Sequence, residues 1–115
     1  MKQKPVHAPL TQFPVVDDQL IIGGMNLKGL LEHAGGTPLY AYDEDAIRQR
    51  VSRLRDQLPP DIDLHYAIKA NPFPPVVNLL AGIVDGLDIA SAGELALALN
   101  SGMHPGNISF AGPGK

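Results

Sequence analysis

The stretch Tyr66-Ala67-Ile68-Lys69-Ala70-Asn71 holds the residue types and spacing most suited to chemistry. A primary amine at the end of a short apolar strand can condense with a carbonyl compound, because a partly desolvated ammonium gives up its proton more easily than one in water. Side chains alternate between the two faces of an extended chain. Leu64, Tyr66 and Ile68 therefore share one face, and His65, Ala67 and Lys69 share the other. The first face suits packing against helices, while Ala67 leaves space beside the lysine amine. A solvated lysine at a strand exit is the plain alternative, and the residue types by themselves leave it open.

Other groups fall around this lysine. Asp88 lies inside Gly86-Leu87-Asp88-Ile89-Ala90, and if Leu87 and Ile89 face helices, its carboxylate points to the same interior as Lys69. A carboxylate there needs partners, since an unpaired buried charge is expensive. The parity thus predicts an interior polar network, with a surface-loop aspartate as the alternative. Glu94 follows Ser91 by three residues, the spacing of a capping box, which accounts for it without a further role. His65, on the same face but deeper than Ala67, reads as a packed and satisfied histidine. Lys115 reads as an ordinary solvated lysine, and Gly112 and Gly114 lack the spacing and following helix of a dinucleotide fingerprint.

The elements that must position these groups alternate. Up to about Pro9 the chain reads as a flexible tail. Phe13 to Ile22 reads as a small hairpin with Asp17-Asp18 in its turn, closed by Gly23-Gly24. Asn26 starts a short helix that Gly35-Gly36 stops. From Thr37 the pattern becomes strand, helix, strand, helix, strand. Pro38 to Tyr42 is the first strand, and Asp43 caps a helix with Glu44 and Asp45 in its first turn and arginines further on. Ile47, Val51, Leu54 and Leu58 line one face of that helix. Asp63 to Lys69 is a strand, about Pro75 to Ile83 a helix, and Gly86 to Ala90 a strand. Ser91 to Asn100 is a helix, His104-Pro105-Gly106 a turn, and Asn107 to Ala111 the last strand. Such alternation with short connections means parallel strands joined by right-handed crossovers. The fold class is α/β, read as the front portion of a larger (β/α) barrel, because the last strand would otherwise leave an uncovered edge.

Composition narrows the partners. The 115 residues include 9 basic and 12 acidic side chains, a formal charge of -3, and the basic residues do not cluster. Nucleic acid and anionic membrane are therefore not expected partners. With no cysteine, disulfides and thiolate metal sites are excluded, and no metal site is expected. The polar start Met1-Lys2-Gln3-Lys4-Pro5 carries no secretory signal, and no apolar run approaches the roughly 18 residues of a spanning helix. A cytoplasmic location is expected.

Three segments in order, Gly36-Thr37-Pro38-Leu39-Tyr40-Ala41-Tyr42-Asp43, Tyr66 to Asn71, and Gly86 to Leu95, carry a resemblance, joined by Ile108 to Lys115. The chain resembles the N-terminal part of fold-type III pyridoxal-phosphate decarboxylases, the diaminopimelate/ornithine decarboxylase group. Within that group it is most similar to the decarboxylases associated with bacterial exosortase gene clusters. The resemblance covers nearly everything from about Phe13. Alanine racemases share Lys-Ala-Asn but continue with a different loop, and Pro72-Phe73-Pro74-Pro75 here favours a decarboxylase.

The resemblance implies a (β/α)8 barrel of the alanine racemase-like type, with residues 36–115 forming its first units. Residues 1–35, with the hairpin, would contribute to a separate β-domain. It implies pyridoxal 5′-phosphate as cofactor, held by Lys69 as an internal aldimine, with Ala67 bordering the ring, Asp88 near the cofactor and Glu94 near the site. It further implies an amino-acid substrate, free or carrier-linked, and a homodimer. The family's phosphate-binding loop, ring-nitrogen carboxylate and partner-donated cysteine come later in sequence than Lys115. Taken as a complete polypeptide, these residues are expected to be inactive and poorly soluble. A non-catalytic homologue or an amino-acid racemase is the competing reading.

Overall fold

A computed structural model of the protein describes residues 3–9 and 11–112. The contacts divide the chain into two compact units, one up to Ala46 and one from Ile47.

In the first unit, β1 (Val15–Val16) and β2 (Gln19–Ile22) form an antiparallel hairpin. The expected turn is there: Asp17 and Asp18 both have positive φ, 51° and 59°, the twist that tight hairpin turns require and that short polar side chains tolerate. Gly23-Gly24, also at positive φ, make a second turn into β3 (Met25–Asn26) rather than simply closing the hairpin. The result is a three-stranded meander. Asn26 caps helix α1 (Leu27–Ala34), its side chain accepting from the Gly29 N–H, and Gly35 ends it in the left-handed conformation.

The strand expected over Pro38 to Tyr42 does not form; the segment is irregular. Pro38 removes a ladder donor, and Tyr40 is 92% exposed, so no packing surface holds the segment in a sheet. Asp43 does cap helix α2 (Glu44–Gln57): its Oδ1 accepts from the Ala46 N–H at 3.1 Å, and its Oδ2 accepts from the Gly23 N–H at 3.1 Å. These bonds to the ionised form hold the Asp43 carboxyl below its ordinary range, the Ala46 bond contributing most.

The second unit is built on a parallel sheet of β4 (His65–Ala67), β5 (Gly86–Ile89) and β6 (Ile108–Phe110), in that order. Helices α3 (Pro74–Ala81) and α4 (Ala92–Asn100) are the crossovers. One face of the sheet is apolar and packed. Ile68, Val77, Leu87, Ile89, Ala98 and Met103 form a buried cluster, flanked by Tyr66, Leu97, Ile108 and Phe110. A second cluster, Val51, Val76 and Leu80, takes in Ile47 and Leu64. Each fully buried side chain of this size contributes on the order of 1.5–3 kcal/mol, so this face holds the sheet together.

The expected strand from Asp63 to Lys69 is shorter than its composition predicted. It ends at Ala67, and Ile68–Ala70 turn as a single 3-10 turn. Asn71 explains the turn: its N–H donates to the Ile68 carbonyl at 3.1 Å, and its side chain accepts from the Phe73 N–H at 3.0 Å. Strand alternation therefore does not set the direction of Lys69. Ile68 is nevertheless fully buried, as expected. The expected strand to Ala111 likewise shortens to Ile108–Phe110. Lys115 and Gly114 lie outside the described residues.

Candidate active site

The sheet's other face carries the polar groups. Register places Ala67, Asp88 and Ser109 side by side across β4, β5 and β6, with His65 opposite Gly86 one step earlier. All four side chains lie on the face opposite Leu87 and Ile89, as alternation requires. Helices cover one face, so the other is left for small and polar residues.

Asp88 is the hub of this row. Its Oδ1 accepts from the Ser109 hydroxyl in a short hydrogen bond and pairs with His65 Nδ1 at 3.1 Å. The expected interior polar network is therefore present. One member, Ser109, was not singled out by sequence reading; alternation along the last strand, with Ile108 and Phe110 turned to the core, was the signal that could have found it. The Ser109 bond does most to lower the Asp88 carboxyl below its ordinary range, against the opposing effect of burial, with His65 and the charge of Lys69 adding to the lowering. Asp88 is thus an anion, and His65 Nδ1 must carry the proton it donates.

His65 is satisfied, as expected, but it is less fully packed than the sequence suggested. Its side chain is 32% exposed and is satisfied by Asp88 rather than by a core. Gly86 makes this possible: a Cβ there would lie 2.5 Å from His65 Cε1 and 2.5 Å from the Asn107 carbonyl oxygen. The missing side chain is the space that the imidazole ring fills.

Lys69 sits just beyond the C-terminal end of β4, in the 3-10 turn. The Tyr66 hydroxyl donates to the Asn71 carbonyl at 2.9 Å, which ties that turn back to the strand before it. Among the described residues no hydrogen bond or ion pair engages the Lys69 amine, which is exposed. Glu94 is held as a cap: its N–H donates to Ser91 Oγ at 3.2 Å, and its carboxylate accepts from the Ser91 hydroxyl and the Ala90 N–H, both at 3.3 Å. Ser91 and Glu94 follow directly on the C-terminal end of β5, the end of the sheet where Lys69 also lies.

The described residues thus bring together a primary amine with no hydrogen bond or ion pair, a carboxylate whose charge reaches it, and the small Ala67 in register with that carboxylate, a donor set compatible with an aldehyde such as pyridoxal. Among the described residues no group of three metal-ligating side chains occurs, and no helix is long and apolar enough to cross a membrane.

Comparison with known proteins agrees. The profile described as the pyridoxal binding domain of pyridoxal-dependent decarboxylases matches residues 44–115. The chain is 43% identical over 99 residues to a diaminopimelate decarboxylase of Aquifex aeolicus, covering 86% of this chain and 23% of that protein. It is 42% identical over 79 residues to the L-glutamyl-(BtrI acyl-carrier protein) decarboxylase of Niallia circulans, covering 69% of this chain and 18% of that protein. The crystal structure of AQ1208 from Aquifex aeolicus superposes with a TM-score of 0.81 at 41% identity, over 90% of this chain and 26% of that one. A diaminopimelate decarboxylase structure from M. jannaschi gives 0.72 at 30% identity, over 88% of this chain and 25% of that one. The chain spans about a quarter or less of the length of these relatives. Its parallel strands and crossovers are the opening part of a (β/α)8 barrel preceded by a hairpin, as the sequence led us to expect. The chain belongs to the pyridoxal-dependent decarboxylases and carries the opening part of their pyridoxal-binding domain.

Proposed function

We propose that the full-length protein containing this chain decarboxylates an amino acid with pyridoxal 5′-phosphate, and that Lys69 is the residue that holds the cofactor. The observation that supports this most is the position of the unengaged Lys69 amine at the C-terminal end of a parallel strand, within electrostatic reach of ionised Asp88. Barrel enzymes keep their reactive groups at that end. When bound, the cofactor supplies a sink for the electron pair left at Cα as carbon dioxide departs.

This chain's residues divide the remaining work. Lys69 would hold the cofactor through its Nζ, the nucleophilic atom this chain offers to an aldehyde. Asp88 supplies a negative charge within electrostatic reach of the Lys69 amine. Ala67, at the end of β4, would leave room for the cofactor's ring, and Glu94, in the first turn of α4, would stand near it. Tyr66 and Asn71 keep the lysine-bearing turn in place, so that the amine meets its target without reordering.

Residues 36–115 form the first barrel units in this proposal, and residues 1–35 contribute to a β-domain. The substrate is an amino acid, free or carrier-linked, and the enzyme is a cytoplasmic homodimer. Carbon dioxide release by the purified full-length protein, measured across diaminopimelate, ornithine, lysine and a carrier-linked glutamyl group, tests the reading. Release from at least one, lost in Lys69→Ala, is the expected result. Racemisation without carbon dioxide release would indicate a racemase, and absence of any bound-cofactor band would indicate a binding homologue; either outcome refutes the proposal.

A further inference from the structure

We infer that His65 and Ser109 are positioning residues for Asp88: they pin one carboxylate oxygen from the two flanking strands and leave the other free for the Lys69 site. This rests on the reading of Lys69 as the cofactor-holding residue.

The geometry is specific. Both partners meet the same atom, Oδ1, and Oδ2 has no hydrogen-bond partner among the described residues. Ser109 comes from β6 and His65 from β4, so the carboxylate on β5 is gripped from both sides of its own strand. Two donors on one oxygen restrict rotation about χ2 and hold the charge in one place. Space for the imidazole depends on Gly86, as its missing Cβ shows. Neither Ser109 nor His65 belongs to the buried apolar clusters, which pack on the sheet's opposite face. A polar pair that adds little to the core and converges on one atom is built for the carboxylate.

The charged groups around this cluster set the direction of its pH response. Asp88 and Asp85 both interact with His65, and Lys69 interacts with Asp88. Among these, the two donors favour the ionised carboxylate. Removing either one makes Asp88 easier to protonate, which moves the loss of its charge to higher pH.

The test uses the full-length protein loaded with pyridoxal 5′-phosphate. The pH dependence of the bound cofactor's visible band is recorded for the wild type, Ser109→Ala, Ser109→Thr, His65→Phe and Asp88→Asn. Circular dichroism confirms folding, and borohydride reduction with peptide mapping is run on the same samples. Asp88→Asn should remove the acid limb of the titration. Ser109→Ala and His65→Phe should each move that limb upward by roughly half to one pH unit, the scale of a lost bond to a partly exposed charge. Ser109→Thr, which keeps the hydroxyl, should restore it. If Lys69 carries the label and Asp88→Asn abolishes the limb while Ser109→Ala and His65→Phe leave it in place, the positioning role is overturned and the reading of Lys69 survives. A label on another residue overturns both.

Discussion

Asp85 and Asp88 stand three residues apart at the start of β5 and within it, and both carboxyls are held below their ordinary range, yet the two environments do opposite things. Asp85 Oδ2 accepts from the Arg55 guanidinium at 2.9 Å and from the Leu64 N–H at 2.7 Å. Arg55 also donates to the Ile83 carbonyl at 3.0 Å. Through that one oxygen the carboxylate ties helix α2, the start of β4 and the start of β5 together. Asp88 likewise accepts on one oxygen, Oδ1, but its partners are a hydroxyl and an imidazole on the polar face of the sheet rather than a guanidinium and a backbone N–H. One edge of the sheet is closed by a charge; the open face keeps a charge available. Barrel enzymes place stability at the N-terminal edge and chemistry at the C-terminal one, and the proposed role of Asp88 would draw that division within a single strand.

That contrast can be broken by mutation. Lys69→Ala should abolish cofactor retention and decarboxylation in the full-length protein while leaving thermal stability nearly unchanged, since the lysine supports no contact in the core. Leu87→Ala, beside Asp88 but on the packed face, should cost about 2–5 kcal/mol in denaturant unfolding. Asp88→Asn should cost far less stability and far more function. Equal destabilisation by the two would contradict the assignment of one face to packing and the other to chemistry.

Smaller effects sharpen the comparison. Asp85→Ala leaves the Leu64 N–H and Arg55 without their acceptor and should cost about 1–3 kcal/mol, with the bound cofactor's spectrum unmoved. A shifted spectrum would mean that the two carboxylates are not separate in role. Acid unfolding gives a second handle. Both folded-state carboxyls titrate below the ordinary value of 3.8, so each stabilises the fold above that pH and loses its contribution as pH falls through its lowered value. Both side chains are more than a third exposed, at 35% and 42%, so solvent screening keeps the effect small. Stability measured against pH should fall below about pH 4, and less steeply in Asp85→Ala. Ser91→Ala should cost about 1 kcal/mol through loss of the α4 cap.

The barrel's alternation was legible because its helices carry their own punctuation: Asp43 before α2, Pro74-Pro75 opening α3 and Ser91 before α4 mark starts that need no tertiary context. Leu87 and Ile89 around Asp88 were legible for the same reason, since strand parity is local. The segment from Pro38 to Tyr42 was misjudged because a strand exists only where something pairs with it, and its β-type side chains do not supply that. Lys69 lies in a turn rather than a strand because Asn71 offers the backbone local hydrogen bonds that compete with the ladder. Ser109 went unnoticed, and His65 was read as a packed, satisfied histidine without its partner being foreseen, because both roles depend on register between strands. That depends in turn on a glycine, Gly86, whose significance is the ring that occupies its missing side chain.

The most direct measurement is borohydride reduction of the cofactor-loaded full-length protein, followed by protease digestion and mass mapping. A pyridoxyl group on the peptide containing Tyr66 to Asn71, at Lys69, is the expected result. A label on any other lysine, or none on that peptide under conditions where the visible band is lost on reduction, would contradict it.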